Sequence, residues 1–465
     1  MKSKTHKRDR RRRAVLNEAG LQQVHLNAAG IDIGAEQHWV AVPQGRDEQH
    51  VRSFSSFTSG LTELAEWLER CNVDTVAMES TGVYWIPLYE LLQSRGFTVL
   101  LVNARHVKNV PGRKDDCLDC QWLQKLHTFG LLRGSFRPDA EITALRCCLR
   151  QRENIVIEAA TWVQRMQKAL TQMNLQLHHV LSDISGTTGL AILRDIVAGE
   201  HNPVHLARHR DPRCRASTQM IIASLTGSYR DEHLFALRQA LQAYDFFQHQ
   251  LQDCDMHVEQ LLHSLTAKLP TPTNPLPQPR TAAKAPRSND FRFEARPALF
   301  TLTAGIDITQ LPGISPHNGL RLLSEIGTDM KRFKTEKHFV SWLTLSPHVK
   351  ASGGRVLSSR TLPSANRAAK LLRLTAVTLR RSNTALGAFY RRLAARIGKP
   401  KAVTATARKL AILLYRALTG QLRPQVLDAQ HYEEQQRDRA VRSLHRRAKS
   451  LGFQLIETKP AEALS

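Results

Sequence analysis

No uninterrupted apolar run in this chain approaches the roughly 20 residues that a membrane span needs, so no membrane partner is expected. A secretory leader is also lacking: the basic N-terminus runs into mixed polar sequence rather than an apolar block, which predicts a cytoplasmic protein. Cysteine is scarce. The seven are Cys71, Cys117, Cys120, Cys147, Cys148, Cys214 and Cys254, an odd number at irregular spacing, which argues against a disulfide framework. Cys117 and Cys120 form a C-x-x-C, but no second such pair exists to complete a zinc site. A redox role for them is disfavoured, since they interleave with an aspartate motif. Negative charge is short as well: 41 Asp and Glu stand against 66 Lys and Arg, a formal net charge of +25. The anionic partner this favours is nucleic acid.

At 465 residues the chain is long for one domain, and about two to four are expected. Its basic surplus is clustered. Lys2, Lys4, Lys7, Arg8 and Arg10 to Arg13 form a tail opposed only by Asp9, suited to binding phosphate without reading sequence or to aiding solubility. A second cluster runs from Arg367, Lys370, Arg373, Arg380 and Arg381 through Arg391, Arg392 and Arg396 to Arg408 and Lys409. That density exceeds an ordinary solvated helix face.

Residues 28–140 read as α/β. Ile31 to Ile33, Trp39 to Val42 and Val51 to Phe54 are strand candidates, and Leu61, Leu64, Ala65 and Leu68 have helical spacing. Val76 to Met78 reads as a buried strand ending at Glu79. A helix around Leu88 and a strand from Thr98 to Val102 follow. Hairpin strands followed by alternating helices and strands suit a mixed sheet of the ribonuclease H type. One long helix is predicted over 143–181. A second, over 231–266, has the alternating steps of a coiled-coil seam, broken by Gln248 and Asp255. Residues 270–288 carry six prolines and read as a linker. No internal repeat is visible.

Four acids carry the sharpest chemistry. Asp32 lies in Gly30-Ile31-Asp32-Ile33-Gly34, Glu79 ends the next buried strand, and Asp116 and Asp119 stand three apart at a helix start. Carboxylates from separate elements are the usual way to hold hard cations such as Mg²⁺. Asp116 and Asp119 share a helix face, and their mutual repulsion calls for a cation between them. Each has a plainer reading too: a capping Asp, a solvated strand-end Glu, an acidic first turn favoured by the helix dipole. Asp115 suits the N-cap, and Arg113 and Lys114 are placed to hold phosphate.

In the second half, Leu311-Pro312-Gly313-Ile314 reads as a turn between helices, able to meet a DNA phosphate through its N–H groups or simply to pack. Ser352-Gly353-Gly354 combines a hydroxyl with backbone freedom, which allows attack on phosphorus or merely a flexible loop. Ser358 and Ser359 compete for the role. Lys350, Arg355, Arg360 and Arg367 are candidate phosphate contacts.

The order G-I-D-I-G, M-E-S-T-G, G-R-K-D-D-C-L-D-C-Q-W, L-P-G-I, K-A-S-G-G-R-V-L-S-S-R-T and S-A-N-R-A-A resembles the DEDD-type insertion-sequence transposases, the family numbered one-ten and its eleven-eleven subgroup. The resemblance spans about 28–420. It implies a ribonuclease H-like (RuvC-like) domain in which Asp32, Glu79, Asp116 and Asp119 take the places of metal-binding acids around two Mg²⁺ ions. It places Ser352 at the family's nucleophilic serine. It also implies a recombinase that joins donor and target DNA through a phosphoserine, guided by a bridge-type non-coding RNA, as a dimer or tetramer near the bacterial nucleoid.

The domain organisation expected is a basic tail (1–27), a RuvC-like domain (28–142), helical coiled-coil region (143–268), Pro-rich linker (269–294), mostly α transposase domain with the serine (295–425) and polar tail (426–465). The Pro-rich stretch and basic tail are longer than the family requires. Three rivals stand beside this reading. A junction nuclease would use the acids with water. A nucleic-acid-binding protein would use none of them. An actin-like phosphotransferase is suggested by Asp32-Ile33-Gly34 alone and lacks a glycine-rich nucleotide-binding segment.

Overall fold

A computed structural model describes residues 22–80, 82–103, 116–280, 289–422 and 429–456. Most of the basic tail, together with Arg113, Lys114 and Asp115, lies outside them. The chain divides into two units, Met1–Arg137 and Pro138–Ser465.

The first unit holds a five-stranded sheet in the order β3-β2-β1-β4-β5. Its strands are β1 (Ala28–Ile33), β2 (Gln37–Ala41), β3 (Val51–Ser55), β4 (Thr75–Glu79) and β5 (Thr98–Val102). β1, β2 and β3 form an antiparallel meander, and β4 and β5 continue from β1 in parallel. Every residue of β4 is buried, as strands covered on both faces require. This architecture is compatible with a ribonuclease H-like domain. Helix α1 (Thr58–Arg70) buries Leu61, Leu64, Ala65 and Leu68, the i, i+3, i+4, i+7 stripe, against Ile31, Ile33, Val40 and Met78. Helix α2 (Trp85–Ser94) adds Leu88 and Leu92 to the same core.

Helix α3 (Asp116–Thr128) covers the opposite face. It runs antiparallel to β1. The Val24 N–H donates to the Thr128 carbonyl at one end, while Gly30 lies beneath Cys120 and Gln124 farther along. A Cβ at residue 30 would stand 2.2 Å from the Gln124 nitrogen, so only glycine admits the helix this close. Buried His127 fixes the far end. Its Nε2 lies 2.8 Å from Thr75 Oγ1, whose own proton goes to the Thr98 carbonyl, which makes His127 the donor. Burial beside His25 lowers the His127 pKa to about 4, so the ring is neutral.

In the second unit α4 (Ala140–Gln172) and α5 (Asp231–Ala267) pack along one another, antiparallel. Lys268 pairs with Glu141 near one end, and Met166 and Leu170 share a core with Leu237 and Leu241 near the other. The first helix is shorter than the predicted 143–181. Asn174 adopts φ 54° and the Leu175 N–H donates to the Leu170 carbonyl, a left-handed cap that closes α4. Val180 belongs instead to a separate turn, Leu177–Val180. At the polar break in the α5 seam, Asp255 is buried against Arg152 of α4.

Beyond the Pro-rich stretch come α6 (Pro316–Ile326), the hairpin β6 (Lys350–Ser352) and β7 (Arg355–Ser358), α7 (Arg367–Thr378), α8 (Ala385–Ile397), α9 (Lys399–Leu418) and α10 (Ala429–Ser450). The Leu311-Pro312-Gly313-Ile314 turn is packed into the second unit. Leu311 and Ile314 are buried, a Cβ on Gly313 would meet Thr375 of α7 and Leu379 just after it, and the Ile314 N–H donates to the Leu311 carbonyl. Within the polar 426–465 stretch, α10 docks on α8. Tyr432 meets Phe389 edge-on, and the Lys409 ammonium lies 4.3 Å from the Phe389 centroid.

His317 on α6 yields a pH prediction. Burial and the neighbouring Arg152 and Arg321 lower its pKa to about 4, while Asp290 and Glu153 act in the other direction. The folded state therefore binds fewer protons than the unfolded state between pH 6.5 and 4. Stability from this group is complete above 6.5 and is lost as pH falls toward 4, by about 3 kcal/mol in all. Denaturant midpoints across this window should fall more steeply for wild type than for His317→Gln.

Candidate active site

Side chains alternate across a strand, so Gly30 and Asp32 share one face of β1 while Ile31 and Ile33 face the α1 core. The parallel register sets Met78 level with Ile31, which leaves Glu79 one step on, level with Asp32 and on its face. Val102 of β5 lies beside Glu79 and accepts from both the N–H and the hydroxyl of Ser80, pinning the strand end. Because α3 runs antiparallel to β1 over Gly30, its first turn extends past Asp32 and brings Asp116 and Asp119 to the same end of the sheet. All four acids thus stand at the carboxyl ends of parallel strands, where open α/β sheets place their sites.

The electrostatics of Asp32 agree with this arrangement. Asp32 is half-buried and its pKa is raised to about 6, first by burial and then by Glu79, Asp116 and Asp119 in turn. The Ile33 N–H opposes the shift. Glu79 is buried, at 6% exposure. Among the described residues, however, no three His, Cys, Asp or Glu side chains are gathered closely enough to hold a metal ion. The acids share an electrostatic neighbourhood rather than a finished coordination sphere. Their chemistry still fits a hard divalent cation: the donors are all carboxylate oxygens, and the ionised form of one is disfavoured by burial and by the other three. Cys120 does not join them as a thiolate, since burial pushes its pKa up to about 12.

Ser352 lies in the second unit, at the tip of the β6–β7 hairpin. Gly353 and Gly354 have φ of 55° and 74°, the two left-handed residues that a two-residue hairpin turn demands. Ser352 is exposed and paired across the ladder with Arg355, and Lys350 and Arg360 are exposed nearby. Ser358 is half-buried. Arg367 is partly engaged: it pairs at 3.3 Å with Glu153 of α4, which Arg321 of α6 also holds at 2.6 Å.

Two stretches of the chain match transposase families. Residues 29–175 match the DEDD transposase model of the IS110 type, and residues 307–391 match the transposase IS116/IS110/IS902 family. No curated protein matches the chain. The first stretch encloses Asp32, Glu79, Asp116 and Asp119, and the second encloses Ser352. A transposase role is supported, and transposases act on DNA. Among the described residues no helix is long and apolar enough to cross a membrane. Sequence reasoning missed Gly30 as a builder of this site. Its signal was present, as a small residue two positions before Asp32 and hence on the same strand face.

Proposed function

We propose that the chain is a recombinase that cuts and rejoins DNA, with Asp32, Glu79, Asp116 and Asp119 as magnesium ligands and Ser352 as the nucleophile. The observation that carries this reading is the raised Asp32 pKa, which three other carboxylates help to produce. Bound Mg²⁺ would neutralise the cluster and stabilise charge on the scissile phosphate. The Ser352 hydroxyl attacks phosphorus and gives up its proton. The bond from phosphorus to the deoxyribose oxygen breaks, and that oxygen is protonated as it leaves. A hydroxyl of a second strand then displaces Ser352 Oγ, which takes back a proton. One phosphate ester replaces another at each step, so rejoining needs no external energy source. The paired glycines leave room for a phosphate at the hairpin tip, and Arg355 opposite suits the charge that builds on phosphorus.

A base-paired RNA spanning donor and target DNA would supply sequence choice, and the surplus of 66 basic over 41 acidic residues would neutralise its phosphates. Assembly as a homo-oligomer, through the long helices as a coiled coil, belongs to the same proposal.

The full chain is to be incubated with Mg²⁺, DNA bearing its element's ends and RNA transcribed from the flanking non-coding segment, then resolved on denaturing gels. A covalent protein–DNA adduct is expected, absent from Ser352→Ala and dependent on the RNA. Undiminished cutting by Ser352→Ala would instead identify a nuclease using water. Activities unaffected by Asp116→Asn and Asp119→Asn would leave only a binding protein.

A further inference from the structure

A DNA strand at an acid cluster can be held by stacking on its bases as well as by ionic contacts to its phosphates. Exposed apolar and aromatic side chains lie close in sequence to the acids. Just after Glu79, Val83 is 67% exposed and Tyr84 is 48% exposed, and Leu118, between Asp116 and Asp119, is 48% exposed. Single exposed apolar residues are ordinary. Tyr84 differs in how it is supported. Both hydrogen bonds of Ser80 go to the Val102 carbonyl and fix the strand end. Gly82 turns the chain at φ 54°, with the Tyr84 ring 3.3 Å from where its Cβ would stand. The Trp85 indole donates to the Gly82 carbonyl at 3.2 Å. Trp85 is itself braced, edge-on to Tyr89 at 5.6 Å with the Arg137 guanidinium lying over both rings. One aromatic ring is thus committed to holding the turn, and its neighbour is left half exposed, five residues after buried Glu79.

We propose that Tyr84, backed by Val83, is a stacking platform for an unpaired base of the DNA strand lying at the acid cluster. The proposal rests on the DNA-cleaving reading above and names how that site positions its substrate. An aromatic face accepts any base, because every base has a π-face. Such a contact orients a strand without reading it, as suits an enzyme whose sequence choice lies elsewhere.

The test uses the full chain and two DNA probes: a duplex with one unpaired 2-aminopurine, and the same duplex fully paired. Binding of the bulged probe is expected to quench its fluorescence. Tyr84→Ala should weaken that binding by about 5- to 100-fold and abolish the quenching, leaving affinity for the paired duplex unchanged. Tyr84→Phe, which keeps the ring, should behave as wild type. The proposal is overturned if Tyr84→Ala binds and quenches as wild type, if it loses both probes equally, or if Tyr84→Phe fails alongside it. Cleavage is scored separately with Asp119→Asn. Tyr84-dependent quenching without acid-dependent cleavage would sink the catalytic reading and keep the platform, and the converse would do the reverse.

Discussion

Asp32→Asn is expected to cut DNA strand cleavage by at least about a thousandfold while making the first unit more stable. The two effects have one cause. Asp32 is half-buried among Glu79, Asp116 and Asp119, and its carboxyl is raised from 3.8 to about 6. A carboxyl raised on folding contributes stability below the unfolded pKa and loses it as pH rises through the folded one. At pH 7 the ionised group therefore opposes the fold, by roughly 1–3 kcal/mol. Asparagine keeps the shape and removes the charge, so urea midpoints in metal-free buffer at pH 7 should rise. In the proposed magnesium role, losing one ligand of a cation worth several kcal/mol to the transition state costs about three powers of ten or more. Cleavage rates and urea midpoints measured on one preparation decide the matter. A variant that is less stable than wild type, or still active, would show that the acids do not act together. His127 lies in the same unit and titrates with opposite sign between pH 6.5 and about 4, so the comparison belongs at pH 7.

The convergence was half legible in the sequence. Strand ends at Asp32 and Glu79 could be read from apolar runs, and the i, i+3 spacing from Asp116 to Asp119 put both on one helix face. Which strands are neighbours could not be read, because pairing depends on register between segments about fifty residues apart. Register is what sets Glu79 level with Asp32. The approach of α3 was hidden for a similar reason. Gly30 looks like any strand glycine until a helix backbone is found lying against it. The cation site has no such resolution, since the carboxylates interact but are not drawn into a coordination sphere.

Elsewhere the misreadings have local causes. The α4 end was placed too late because its left-handed cap is Asn174, where glycine is the stronger signal. The α10 helix was read as a tail because charge dominates it. Its Tyr432 meets Phe389 edge-on and lies under the Lys409 ammonium, contacts that no hydrophobic periodicity announces. The Leu311–Ile314 turn offered two readings, and the nearness of Thr375 and Leu379 accounts for its packing. Asp255 was visible as a polar break in an apolar seam, but its partner lies 103 residues earlier.

That partner sets the second large effect: Asp255→Ala or Arg152→Ala alone should destabilise the second unit by about 3–5 kcal/mol. Arg152 and Asp255 are 4% and 3% exposed and meet through two hydrogen bonds, at 2.6 and 3.2 Å. The guanidinium also donates to the carbonyls of Asn289 and Asp290 and lies 4.7 Å from the Phe291 centroid, while the Arg292 N–H reaches Asp255. The pair therefore ties α4 and α5 to the segment that follows the Pro-rich stretch. Truncating either partner strands a charge where water cannot reach it, and that desolvation, more than the lost attraction, sets the cost. A loss of this size is a large share of the 5–15 kcal/mol that holds a typical domain folded. The double variant Arg152→Met/Asp255→Leu removes both charges and fills the space, so it should recover most of the loss. Urea unfolding of wild type, the singles and the double provides the cycle. Singles costing under about 1 kcal/mol, or a double no better than the worse single, would mean that this pair does not specify how α4 and α5 meet.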